Sequence, residues 1–189
     1  MRRRLPAALV ALRLALGPAM VLVAWGDGSR VWLATMLLAA IVSDIFDGVL
    51  ARRWGVATEA LRAADSRVDM VFIGCAVAVL WRARTALLRP FLPALGLIGL
   101  AAAAGAAFDL AKYGRLASYH SYSAKASGLL LCASGLALLL APRPAPLLAL
   151  ALAGTLASCL EHLAITLALP TWTCDVKGLA AALRMRRNQ

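Results

Sequence analysis

Residues 91–110, FLPALGLIGLAAAAGAAFDL, run for twenty positions with a single charge, Asp109. A helix rises about 1.5 Å per residue, so such a stretch matches the ~30 Å hydrocarbon core of a bilayer. Outward from it lie five more stretches of similar character: Leu5–Trp25, Val31–Arg52, Leu61–Trp81, Lys125–Ala141 and Leu147–Leu169. Turn-forming residues stand between them, as in Gly26-Asp27-Gly28, Arg89-Pro90, Pro142-Arg143-Pro144 and Pro170. The expected fold is therefore all-α, a polytopic bundle of six transmembrane helices. It forms one membrane domain over 1–189, with 170–189 as a tail. Hydrophobic residues make up 62% of the chain, charged residues 15%, and mean hydropathy is +0.80. A soluble domain carries about a quarter charged residues, so this composition argues against a soluble and against a disordered protein.

The net charge of +11 comes from 20 Lys and Arg against 9 acids. Beyond Arg2, Arg3 and Arg4 no basic run with interleaved aromatics occurs, and no nucleic-acid partner is expected. The basic residues instead fit loops held against anionic membrane lipids. With six spans both termini share a side, and counting places 13 Lys and Arg there against 5 on the other side. The positive-inside rule then puts both termini in the cytoplasm. The charged start resembles a signal peptide, but no small-x-small cleavage site follows, so the first stretch reads as a retained span. The four cysteines form no CxxC pair, and neither zinc nor a disulfide framework is expected. Trp25, Trp54, Trp81 and Trp172 fall near the expected membrane interfaces.

Acids are costly in a membrane helix, about 2.5–3.5 kcal/mol each on insertion scales, so they point to function. Asp44 and Asp47 stand at i and i+3, with Gly48 and Ala51 at i+4 and i+7, all on one helical face. Asp65 and Asp69 are four apart and also share a face. If these faces meet, four carboxylates crowd one volume and need cations to remain ionised. An all-oxygen set suits a hard divalent ion, Mg²⁺ or Mn²⁺. Gly48 and Ala51 clear bulk from that face and Arg52 adds a cation beside it. Such a pocket at a membrane surface suits a phosphate-rich ligand with a lipid tail. Arg13, inside the first span, needs a partner that these acids or a substrate phosphate would supply.

The segment Asp44-Ile-Phe-Asp47-Gly48-Val-Leu-Ala51-Arg52, with Asp65-Ser-Arg-Val-Asp69 after it, resembles the signature of the class I integral-membrane CDP-alcohol phosphatidyltransferases. That signature reads D-x-x-D-G-x-x-A-R and then G-x-x-x-D-x-x-x-D. Arg13 and Pro18 also fit the family's first-helix pattern. The resemblance implies transfer of a phosphatidyl group from CDP-diacylglycerol to an alcohol acceptor, with release of CMP, in phospholipid biosynthesis. It implies a two-metal site of Mg²⁺ or Mn²⁺ on Asp44, Asp47, Asp65 and Asp69, with Asp69 also the catalytic base. Gly48, Ala51, Arg52 and Thr58 would then bind the nucleotide of the CDP-lipid. Arg13, Arg115 and Lys125 would hold the acceptor or a phosphate, and His120 shares their loop, RLASYHSYSAKASG at 115–128. The expected setting is the bacterial cytoplasmic membrane with the site facing the cytoplasm. Family members are commonly homodimers, although no motif here demands one.

Leu61 stands where the signature has its second glycine, and no glycine occurs in 56–64. The alternative reading is therefore a non-catalytic or altered-specificity relative that binds nucleotide or lipid. A cation transporter fits less well, because the acids gather at one membrane surface rather than the midplane. Glu161 and His162 are adjacent in the last stretch and point about 100° apart, so they are expected to make separate structural contacts. Asp109 is expected to pair with Lys112 or Arg115. The end of the chain, with Val176, Leu179 and Leu183 among basic residues, fits either a helix on the membrane surface or a solvated basic end.

Overall fold

The computed structural model describes residues 4–26, 28–54, 59–117, 119 and 121–187; within these, the side chains of 4–7, 47, 48, 50–52 and 59–66 are not described. Every regular element among the described residues is helical. The α-helices are α1 (Arg4–Trp25), α2 (Arg30–Arg53), α3 (Glu59–Leu88), α4 (Leu92–Tyr113), α5 (Tyr122–Leu140), α6 (Ala145–Ala168) and α7 (Leu179–Arg187), with a 3-10 turn at Arg89–Phe91 before α4. The six long helices stand where apolar runs of about twenty residues require them. Among the described residues, however, four stretches rather than six are long and apolar enough to cross a membrane: Ala8–Trp25, Arg67–Tyr113, Tyr122–Leu140 and Ala145–Ala168. The expected span Phe91–Leu110 and most of Leu61–Trp81 fall within the single apolar run Arg67–Tyr113. The expected span in α2 is not among the four, because its continuously described side chains end at Phe46, short of a full crossing.

The chain divides into two compact units, one formed by 1–86 with 136–142, the other by 87–135 with 143–189. In the first, α1 packs on α2. The buried positions of α1 are Val10, Arg13, Gly17, Met20 and Ala24, alternating three and four residues apart, which is the spacing of one packed helical stripe. Leu33, Leu37 and Ala40 of α2 and Phe72, Ala76 and Val79 of α3 follow the same rhythm. Small residues matter here because lipid supplies no hydrophobic drive between helices, and close packing must hold them together. Gly17 shows this most sharply. A Cβ there would lie 3.3 Å from Cys75 Sγ and 3.5 Å from the Phe72 ring, so the missing side chain lets α3 approach α1.

α3 runs past Trp81, where the sequence suggests an end. Arg84 has non-helical backbone angles (φ −141°, ψ 34°) and marks a kink. Its Nε donates to Leu138 O at 2.7 Å and its Nη2 to Ala141 O at 3.2 Å. These are carbonyls at the end of α5 that have no helical partner, so the charge that looks like a loop residue caps a neighbouring helix.

In the second unit α4 packs on α6, and α6 on α7. α4 ends at Gly114, whose φ of 68° is the left-handed conformation that glycine adopts without strain. Val176, Ala182, Ile165 and Leu169 form the small core under α7. Ala182 is fully buried on α7, and Leu183 is exposed.

Candidate functional site

The packed stripes of the first unit continue into charge. On α2 the run Leu33, Leu37, Ala40 reaches Asp44 four residues on; on α3 the run Val79, Ala76, Phe72 reaches Asp69 three residues back. On α1 the matching buried position is Arg13, 2% exposed. The register that packs the three helices therefore brings their charges together. Arg13 Nη1 lies 2.8 Å from Asp44 Oδ1 and also donates to Asp69 Oδ1. Gly17, one turn along α1 from Arg13, sets the α1–α3 distance at which the second contact forms.

The burial of the three groups is unequal. Arg13 is enclosed, whereas the side chains of Asp44 and Asp69 are 52% and 36% exposed. A buried guanidinium needs carboxylate partners, and both carboxylates reach the surface of the unit. Two hard oxygen donors from two helices thus already converge on one positive group, which is the donor chemistry a divalent cation requires. Among the described residues no three His, Cys, Asp or Glu side chains gather as a metal-ligand set. The side chains of Asp47, Gly48, Ala51, Arg52, Leu61 and Asp65, and the residues Thr58 and His120, lie outside those described. The helical backbone of α2 spans Asp44, Asp47, Gly48 and Ala51 without a break, so their i, i+3, i+4, i+7 register stands.

A family model for the CDP-alcohol phosphatidyltransferases matches residues 3–172. The chain belongs to that family. Searches of curated proteins and of solved structures give no significant match. The CDP-alcohol phosphatidyltransferases are phosphotransferases, generally dependent on divalent metal, that act on CDP-alcohol substrates at membrane lipids. The match takes in all three helices that supply Arg13, Asp44 and Asp69.

The second unit holds Arg115 and Lys125. The Arg115 guanidinium sits 3.7 Å over the Trp172 ring, and Lys125 Nζ is 5.9 Å from the Tyr122 ring. Asp109 departs from expectation. It pairs with neither Lys112 nor Arg115 but accepts from Thr166 Oγ1 at 2.8 Å and Ala117 N at 3.0 Å, and meets His162 Nε2 at 2.9 Å. Lys112 instead donates to Thr166 O at 2.7 Å, at the end of α6, where helix carbonyls are unpaired. His162 and Thr166 are four apart on α6 and share a face, a signal visible in sequence once α4 is known to face α6. Gly105 on α4 makes room, since a Cβ there would lie 3.5 Å from the His162 ring.

Glu161, on another face of α6, accepts from Ser123 Oγ and from Leu179 N at 3.1 Å. A carboxylate there satisfies a first-turn amide of α7 and meets the positive end of its dipole. Glu161 and His162 thus make separate contacts, as their spacing on the helix requires.

Proposed function

We propose that the protein transfers a phosphatidyl group from CDP-diacylglycerol to an alcohol, releasing CMP, in phospholipid synthesis. The observation that carries this reading is the convergence of Asp44 and Asp69, from two helices, on buried Arg13 in a chain that matches the family from 3 to 172. The oxygen donors fit Mg²⁺ or Mn²⁺, which Asp44, Asp47, Asp65 and Asp69 would hold. When bound, the ions supply positive charge that offsets the diphosphate and the developing charge on the leaving phosphate.

The chain's own residues carry the remaining steps. Gly48 and Ala51, small residues of α2, would let the nucleotide lie against the helix, and Arg52 and Thr58 would also bind it. Asp69, fixed through Arg13, takes the proton of the acceptor hydroxyl. The hydroxyl oxygen bonds to the phosphorus that carries the lipid, the bond from that phosphorus to the bridging oxygen breaks, and CMP leaves with the bonding electrons. Arg115 and Lys125 hold the phosphate or polar head of the acceptor. The excess of Lys and Arg on the terminal side supports a site on the cytoplasmic face.

The test is CMP release from CDP-diacylglycerol by detergent-purified protein with Mg²⁺ or Mn²⁺ and a panel of glycerol 3-phosphate, inositol 1-phosphate, inositol and serine. Release with one acceptor, abolished by EDTA, is expected. Binding of CDP-diacylglycerol with no release from any acceptor would favour the non-catalytic alternative that Leu61 raises. In that event Leu61→Gly would restore turnover if the leucine alone blocks it.

A further inference from the structure

The loop between α4 and α5 is tied down from beneath by a buried carboxylate. Asp109 is 1% exposed, and its two oxygens are shared among a loop amide (Ala117 N) and two side chains of α6, His162 and Thr166. The loop's Tyr119 ring lies 4.8 Å from the His162 ring, and its hydroxyl is 3.2 Å from Thr166 Oγ1. Beyond α6, Trp172 Nε1 donates to Leu116 O at 3.1 Å, and Tyr122 N donates to Lys177 O at 3.1 Å.

Apolar packing alone would close such a loop with less desolvation, because a buried carboxylate is costly until its oxygens are matched. What the polar anchor adds is direction: each hydrogen bond fixes one backbone group of the loop at a defined position. The fixed segment begins beside Arg115, stacked on Trp172, and ends in the first turn of α5, which carries Lys125. Both cations emerge from the ends of a tethered segment.

Resting on the transferase reading, we propose that Asp109, His162 and Thr166 are positioning residues for the acceptor alcohol. They set Ala117 and Tyr119 of the loop, and through them the separation of Arg115 and Lys125, which take the acceptor's phosphate or polar head. The anchor acts on acceptor binding and leaves the CDP-lipid site alone.

The test uses the full chain in detergent with the acceptor that wild type turns over best from the panel above. Thr166→Val keeps the shape and removes the hydroxyl that reaches Asp109; His162→Leu removes the ring nitrogen; His162→Gln keeps a side-chain donor. Thr166→Val and His162→Leu are expected to raise the acceptor KM about tenfold, with kcat and the CDP-lipid KM within twofold. His162→Gln should recover most of that loss, and hydrogen exchange at the Ala117 amide should quicken in the two disruptive variants. An unchanged acceptor KM, unchanged exchange at that amide, or a parallel loss in every kinetic constant without rescue by His162→Gln would overturn the proposal. If wild type itself turns over no acceptor, the transferase reading fails first, and the acceptor role falls with it.

Discussion

Two carboxylate centres, one in each unit, use the same group in opposite ways. Asp109 is sealed, and its oxygens meet a hydroxyl, an amide and an imidazole. Asp44 and Asp69 are half open, and both lean on one buried guanidinium. A sealed and satisfied carboxylate holds architecture, since nothing from outside reaches it. Open carboxylates gathered around a fixed cation can be reached by a ligand from outside. The contrast fits the proposed roles, loop placement for the first centre and chemistry for the second.

Substitutions at the two centres should therefore fail differently. The largest effect is expected from Asp69→Asn, which removes the proton acceptor of the proposed mechanism. CMP release should fall by about a hundredfold or more, the usual range for a lost general base, while the melting temperature stays close to wild type. Asp109→Leu should act on stability first. It strands the donors of Thr166 and Ala117, at about 1–3 kcal/mol for each buried group left unsatisfied, and thermal unfolding in detergent should show a clear drop.

Arg13→Ala sharpens the contrast. It leaves Asp44 and Asp69 without their shared cation, so the variant should melt lower than wild type in EDTA. Added Mg²⁺ should then raise its melting temperature more than it raises that of wild type. Equal Mg²⁺ shifts would mean that the divalent ion and Arg13 do not serve the same carboxylates. The smallest effect belongs to Gly17→Ala. Its added Cβ would sit 3.3 Å from Cys75 Sγ, and overpacking of this kind costs about 1 kcal/mol at its mild end. Activity should fall with it by a few fold, because α1 carries Arg13 toward Asp69.

The helices were readable from sequence because apolar runs of bilayer length leave the backbone no other way to satisfy its hydrogen bonds. Their ends were less so. Arg82 and Arg84 look like the start of a loop, yet α3 continues to Leu88, since Arg84 finds carbonyls on α5 that no local pattern reveals. Arg13 announced that it needed an anionic partner by lying in an apolar run, and the structure supplies Asp44 and Asp69. Asp109 announced the same need, but the nearest charges along the chain, Lys112 and Arg115, were the wrong partners. Its true partners on α6 lie more than fifty residues away, and only the packing of α4 on α6 brings them near.

The most direct test of the division between the two centres is Mn²⁺ binding, followed by electron paramagnetic resonance on the purified protein. Wild type, Asp44→Asn and Asp109→Asn would be compared in the presence of CDP-diacylglycerol. The account predicts bound Mn²⁺ in wild type and Asp109→Asn, and a loss of about tenfold or more in affinity in Asp44→Asn. Retained binding in Asp44→Asn with loss in Asp109→Asn would contradict it.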